Sequence, residues 1–392
     1  MAPQILVVAP FLSLDAPSRP RAVASALSQL GTVTILMSDF DHVAKVRRTL
    51  PSSLGRMRIT SIRTLPYGNN RGVRRFVSHL LFGLAAIWFF ARKRSRFDGV
   101  YVTLPLNLAA CGVLLLANRH RTVADIIDFW PDVLPFPNIV RRSAAPFFAL
   151  WRSLFAFACH KADLVLSVSD SFRVSGQRHR RPDAPPVKRI YIGHAALPPV
   201  PREIDARRAQ RVIAYVGNLG HLYDFSALLA ALAMEDTRKS HQLAIVGDGD
   251  RRNWLLSELR RLDIAHVYHG VVYNTHALSQ ILSAADWGFN GYVNTTASFS
   301  YKAGTYLSAG LPLLNCMTGD IAELVNREHL GVNYREGDGG SLARVLMQTT
   351  DLMLRDYRTC CTAFFERELE ARHVETQLLD YLRANATFED HE

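Results

Sequence analysis

Cysteine is scarce in this chain: five residues, Cys111, Cys159, Cys316, Cys360 and Cys361, odd in number and at no ligand-like spacing. That excludes a disulfide framework and a cysteine-built metal cluster, and it points to a reducing compartment. A long uninterrupted apolar run is also missing. The most apolar stretch, residues 76–91, contains His79 and falls short of the ~20 residues that a spanning helix needs. The start, MAPQILVVAPFL, lacks a charged leader and reads as a buried first strand, so no secretion signal is expected. Acidic side chains are few in the first half: residues 1–200 carry 27 Lys+Arg against 10 Asp+Glu, whereas residues 201–392 carry 19 against 25. An acidic partner would therefore meet the first half. The basic residues are not interleaved with aromatic stacking platforms and no nucleic-acid module is recognisable, so no nucleic acid is expected.

What is present is the composition of a globular protein, 48% hydrophobic and 21% charged, over 392 residues, which favours two domains. β-rich apolar runs at 4–10, 33–38, 100–105, 122–128 and 164–169 alternate with helical stretches, the signature of a parallel sheet covered on both faces. A segment with six prolines, RPDAPPVKRIYIGHAALPPVPREIDARRAQ, interrupts this rhythm, which restarts with RVIAYVG and HQLAIVGDG. The fold class expected is α/β with two Rossmann-like domains, at 1–198 and 199–368, and a C-terminal helix within 369–392 packing back on the first. In such sheets ligands bind beyond the carboxyl ends of the strands. Two apolar segments flanked by arginines, RRFVSHLLFGLAAIWFFARKRSR and RRSAAPFFALWRSLFAFACHK, read either as core helices or as helices resting on an anionic membrane surface.

Several residues invite a chemical reading beside a structural one. In TTASFSYKAGTYLSAGLPLL (295–314), Ser298, Ser300, Tyr301 and Lys302 open a helix, where unpaired N–H groups attract an anion. They are equally the ordinary caps of a helix. Gly217, Asn218, Leu219 and Gly220 follow a strand and suit either close approach of a phosphate or a tight turn. Asp128, in an apolar collar, suits a general base or a turn cap. Arg19 and Arg21 either line an acceptor site and bind phosphate or form a solvated helix face.

The second half then resembles a known family. YVGNLGHLYDFSALLAAL, AIVGDGD, YHGVV, SAADWGFNGY, SYKAGTYLSAGLPLL and GDIAELV occur in the order of the nucleotide-sugar-binding domain of GT-B glycosyltransferases of the family 4 type. ADIIDFWPD (124–132) resembles a segment of the bacterial surface-polysaccharide branch, and YIGHAAL the interdomain hinge; similarity to the xanthan glucuronosyltransferase-like family extends to an Asp at the place of Asp128. The resemblance implies a GT-B fold with two domains facing across a cleft. It also implies a UDP- or GDP-sugar donor on the second domain, a lipid-linked saccharide acceptor on the first, and peripheral attachment to the cytoplasmic face of the plasma membrane. It implies no cofactor and no metal, in keeping with the expectation that no Asp-x-Asp metal motif appears in the chain. Residue by residue, it makes Lys302 the cation of the diphosphate seat, sets Asp248, Gly270 and Val271 near the base, and allows His194 to reach the cleft. The family's pair of glutamates is replaced by Ala297 and Thr305. Thr305 can still offer one hydroxyl to a ribose, so the chain is either a divergent enzyme or one that has lost activity.

Overall fold

The computed structural model describes residues 2–13, 18–42, 44–68, 73–130, 142–201, 209–294 and 299–385. The chain divides into two compact units, one of Met1–Gly193 with Ala371–Glu392, the other of His194–Glu370.

The first unit is built on β1 (Gln4–Val8), α1 (Arg19–Ser28), β2 (Thr32–Ser38), the small hairpin β3 (Phe40–Asp41) and β4 (Val46–Arg47), β5 (Ser53–Leu54) and β6 (Met57–Ile62). It continues with α2 (Val73–Lys93), β7 (Gly99–Leu104), α3 (Asn107–Leu116), β8 (Arg121–Ile126), α4 (Ala145–Lys161), β9 (Leu164–Ser167), α5 (Asp170–Gln177) and β10 (Lys188–Arg189). The sheet order is β10-β9-β8-β7-β1-β2-β6-β5, parallel except for β5. Strands β1 and β7 are nearly continuous runs of buried apolar residues because helices cover both faces. On one face α2 and α3 bury Phe82, Ala86, Phe90, Ala110 and Val113. On the other, α1 shares a core with Val374, Leu378 and Leu382, side chains from the far end of the sequence.

The second unit runs β11 (Arg211–Val216), α6 (Phe225–Leu232), α7 (Glu235–Ser240), β12 (His241–Val246), α8 (Arg252–Arg261), β13 (His266–Tyr268), α9 (Thr275–Ser283) and β14 (Trp287–Asn290). Then follow α10 (Tyr301–Ser308), β15 (Leu313–Asn315), α11 (Asp320–Arg327), β16 (Gly331–Asn333), α12 (Gly339–Gln348) and α13 (Asp351–Phe364); α14 (Ala371–Asn385) returns to the first unit. Its sheet is wholly parallel, in the order β13-β12-β11-β14-β15-β16. The six strands have the doubly wound order of a dinucleotide-binding fold, and β6-β2-β1-β7-β8-β9 of the first unit repeats it. Each sheet thus has a switch in strand order, between β1 and β7 and between β11 and β14, where helices leave on opposite faces and open a crevice.

The units divide at Gly193/His194 and Glu370/Ala371 rather than at 198/199 and 368/369. The reason is local bonding: the His194 N–H donates to Leu369 O at 2.7 Å and Ser279 Oγ donates to Pro198 O at 2.6 Å, so the chain already belongs to the second unit before its proline run ends. Strand β6 is absent from the strands expected from the sequence, since MRITSI alternates weakly and carries Arg58. The long apolar segment forms the 21 residues of α2, long and apolar enough to cross a membrane by length and composition, yet it buries one face in the core of the first unit.

Candidate donor and acceptor sites

At the switch point of the second unit, the loop after β11 meets the start of α10. Ser300 caps this helix: its hydroxyl accepts from the Ala303 N–H at 3.1 Å and donates to Asn290 Oδ1 at 2.5 Å. Asn290 stands in register with Asn315, and Asn315 with Asn333, at the ends of three neighbouring strands. Each amide donates to the next, Asn290 to Asn315 at 2.8 Å and Asn315 to Asn333 at 2.7 Å, and Asn333 donates onward to Asn326 at 2.9 Å. The cap is therefore anchored in a buried polar network whose members are satisfied.

Lys302 follows the cap. Its ammonium lies 3.2 Å from the centre of the Tyr223 ring, 4.0 Å from that of Tyr215 and 5.5 Å from that of Tyr292, and it donates to the Tyr215 hydroxyl at 2.5 Å. Among the described residues no carboxylate pairs with it. Burial alone pushes its pKa down to about 6, so near neutral pH the amine is mostly unprotonated and gains its proton readily when an anion arrives. Gly217 has φ +133°, and a Cβ there would stand 2.8 Å from Lys302 Cε. This glycine is needed for the passage of the lysine side chain as well as for its own backbone conformation.

Other predicted donor residues turn out to be committed elsewhere. The Gly217 N–H donates to Val246 O at 2.9 Å and the Leu219 N–H to Asp248 O at 2.9 Å, so neither is offered to a phosphate. Leu219 is fully buried, as its apolar side chain dictates. Only Asn218 in this loop is well exposed, with Gly220 half-buried, and the helix they were expected to open begins later, at Phe225. Ser300 is likewise buried and turned into its own cap rather than towards a ligand. Tyr301 is exposed and Thr305 half-buried on α10, while Ala297 and Ser298 lie outside the described residues. Asp248 is exposed and pairs with Arg252 at 3.3 Å; Gly270 has φ +65° and its carbonyl accepts from Gly247, with Val271 exposed beside it.

His194 is corrected more strongly. It belongs to the second unit and is buried, its ring against Gly304, where a Cβ would come within 2.2 Å of Cε1, and 4.5 Å from the ring of Tyr301. Burial pushes its pKa down to about 4, which makes it a neutral packing partner of α10 and not an acceptor-side group.

In the first unit Arg19 is neither solvated nor available to phosphate. Only 2% exposed, it grips Asp125 through Nε–Oδ2 at 2.7 Å and Nη2–Oδ1 at 3.4 Å, and donates to Tyr191 O at 3.3 Å. The Tyr101 hydroxyl donates to Asp125 at 2.7 Å. A guanidinium carried into the core requires such a carboxylate, and a fork-to-fork pair supplies it. Arg21 lies half-buried on the same helix.

Asp128 sits just past the end of β8, half-buried. Its carboxylate accepts from the Phe129 N–H at 2.9 Å and from Trp130 Nε1 at 2.7 Å. Burial raises its pKa, against the opposing pull of these two bonds and of Arg75. Arg75 lies 4.5 Å over the Trp130 ring, and His79, one helical turn on, stacks on the same ring at 5.5 Å. Sequence reading missed Arg75 and His79, although their i, i+4 spacing on an otherwise apolar helix is the signal that sets them on one face. Asp132 lies outside the described residues. Two Asp-x-Asp triplets do occur, Asp39-Phe40-Asp41 and Asp248-Gly249-Asp250, against expectation. Asp39, Asp41 and Asp248 pair with Arg47, Arg48 and Arg252 respectively.

The family model for glycosyl transferases group 1 matches residues 210–351. No curated protein matches the sequence. Among solved structures, the chain resembles Anabaena Alr3699/HepE in complex with UDP and glucose (TM-score 0.63, 16% identity, covering 97% of this chain and 100% of that one). It also resembles sucrose-phosphate synthase from Thermosynechococcus elongatus (0.67, 16%, 97% and 98%) and the lipopolysaccharide outer core galactosyltransferase WaaB in its apo form (0.64, 15%, 97% and 99%). At these identities the likeness speaks for the fold alone. Residues 210–351 match the family model for glycosyl transferases group 1, within a chain that has the GT-B fold.

Proposed function

We propose that this chain transfers a hexosyl or glycuronosyl group from a UDP- or GDP-sugar to a lipid-linked saccharide during bacterial exopolysaccharide or surface-glycan assembly, without a metal. The observation that carries this reading is Lys302, a basic side chain with no carboxylate partner among the described residues, held at the start of α10 where the strand order switches. A departing nucleoside diphosphate develops negative charge, and a preorganised lysine beside a helix N-terminus stabilises it. Asp128, with its raised pKa, is the group to accept the acceptor hydroxyl's proton. Support for the donor class comes from Alr3699/HepE, whose complexes contain UDP with glucose and UDP-glucose.

For the acceptor side, support comes from the surface of the first unit. On α2, Val73, Leu81, Leu84 and Trp88 are exposed, on α4 Phe147 and Leu150, and Phe76 joins the two helices through Phe147 and Trp151. Arg92 lies 4.4 Å over Trp88. Apolar residues rimmed by cations suit a seat on an anionic bilayer at its cytoplasmic face. The test is binding of a panel of UDP- and GDP-sugars to the full chain. We expect saturable binding that Lys302→Ala weakens by roughly ten- to a hundredfold and that a chelator leaves unchanged. No binding to any member of the panel overturns the reading.

The second reading is a catalytically silent scaffold for a biosynthetic complex. It is favoured by the internal use of the Gly217 and Leu219 N–H groups and by the replaced glutamate pair. Sugar transfer that Asp128→Asn abolishes would exclude it.

A further inference from the structure

The sugar-transfer reading leaves one cluster of the first unit without a task. It lies beyond the carboxyl ends of β1, β2 and β6, at the switch in strand order. A cavity of about 220 Å³ is lined there by Phe11, Met37, Asp39, His42 and Leu50 among others. A smaller one, of about 10 Å³, shares Phe11 and Ser38 with it and adds Tyr67, Leu106 and His79.

Two separate segments bring nitrogen groups to Tyr67, a residue that lines the smaller cavity. From the β3–β4 hairpin, Lys45 lies 4.8 Å over the Tyr67 ring and its ammonium donates to the His42 carbonyl. From α2, Arg75 bonds the Tyr67 hydroxyl. The Phe11 ring stands between the two imidazoles, 5.1 Å from His42 and 5.0 Å from His79. The nearby acids are already engaged, Asp39 by Arg47 and Asp41 by Arg48 at 2.8 Å. Burial lowers the pKa of both Lys45 and His42 most; Arg75 lowers both further and Lys45 lowers that of His42, while Asp41 opposes the shift in each.

Two independent observations mark the cluster as built for something. His79, 8% exposed, buries Nε2 with no hydrogen-bond partner, a state that a buried polar atom rarely keeps without a purpose. Lys45 holds φ 60°, uncommon for a residue with a side chain, and strain of this kind gathers at ligand sites.

We propose that Lys45, Arg75 and His79, around Tyr67, form a seat for a phosphoryl group on the first unit. The planar guanidinium of Arg75 and the ammonium of Lys45 supply charge-assisted donors, and the imidazole of His79 completes the shell. The seat stands on its own geometry. That the phosphoryl group is the one linking a saccharide acceptor to its lipid rests on the glycosyltransferase reading. A free phosphate would satisfy the same groups.

Titration calorimetry of the full chain with inorganic pyrophosphate and with geranyl diphosphate, each with and without saturating UDP, tests this. Arg75→Gln and Lys45→Asn are the variants; asparagine tolerates the left-handed backbone of Lys45, and a retained melting temperature verifies folding. With UDP present, each variant is expected to weaken pyrophosphate binding by about tenfold or more and to leave UDP affinity unchanged. Tighter binding of geranyl diphosphate than of pyrophosphate assigns the group to a lipid, and equal binding to a free phosphoryl ligand; either upholds the seat. Absence of binding by both probes, or binding that neither variant alters, overturns it. Should UDP fail to bind while pyrophosphate binds through Arg75, the donor reading falls and the seat survives.

Discussion

Arg19 in the first unit and Lys302 in the second are both basic side chains drawn out of water, and they are treated in opposite ways. Arg19 meets a carboxylate through two nitrogens, a tyrosine hydroxyl shares that carboxylate, and a backbone carbonyl takes a further N–H. Among the described residues Lys302 meets phenol rings and one phenolic oxygen. Ring faces attract a cation weakly, by about 0.5–2 kcal/mol, far less than a desolvated carboxylate does. The first arrangement is finished within the fold. The second leaves an electrostatic demand that an anion from outside can meet. Buried charge by itself says little about function, therefore; what distinguishes the two positions is whether the protein supplies the counter-charge.

The contrast can be broken at its strongest point by Asp125→Ala. Left without its carboxylate, Arg19 is an uncompensated buried charge, and the loss of stability expected in urea unfolding is about 3–5 kcal/mol. A loss below about 1 kcal/mol, the scale of an exposed ion pair, would show that the pair is not the structural element described.

Lys302 sharpens the comparison through pH. Its folded pKa of about 6 lies below that of an unfolded lysine, so the unfolded state binds the extra proton. Its contribution to stability therefore rises with pH from about 6 to the unfolded value near 10.4, and is lost as pH falls through that window. Lys302→Met should flatten that slope in urea melts at several pH values. In the same way, UDP binding at pH 8 should take up a proton from solution, read from calorimetry in buffers of different ionisation enthalpy. Lys302→Arg, always charged, should abolish the uptake. Binding with no buffer dependence in the parent chain would contradict the caged state. The smallest effect belongs to Ser300→Ala, which removes a cap and one bond to Asn290: about 1–2 kcal/mol of stability, by thermal unfolding, with donor affinity following only as α10 frays.

Much of the fold was legible because parallel strands buried on both faces leave dense apolar runs, as in QILVV, GVYVTL and HQLAIV. Of the candidate site, the placement of two residues was legible: Lys302 stands at a helix start and Asp128 after a strand, as their sequence positions suggest. Arg19 was misread because an arginine beside a proline at a helix start looks solvated, and its partner Asp125 lies about a hundred residues away. The Gly217–Gly220 loop was misread because glycines needed for backbone–backbone bonding and for Lys302 look the same as glycines meant for phosphate. The Lys45–Arg75–His79 cluster left no local pattern, since a hairpin and a helix from distant segments assemble it.

The asparagine series from Asn290 to Asn326 has a direction. Each carboxamide gives its NH₂ to the following oxygen, so turning Asn315 or Asn333 over would set oxygen against oxygen on one side and nitrogen against nitrogen on the other. These two side chains consequently keep one common orientation, and the hydroxyl of Ser300 joins the series to the helix start. The beginning of α10 is fastened by a ratchet of amides that accepts a single setting, which fixes the helix end from which the buried lysine projects.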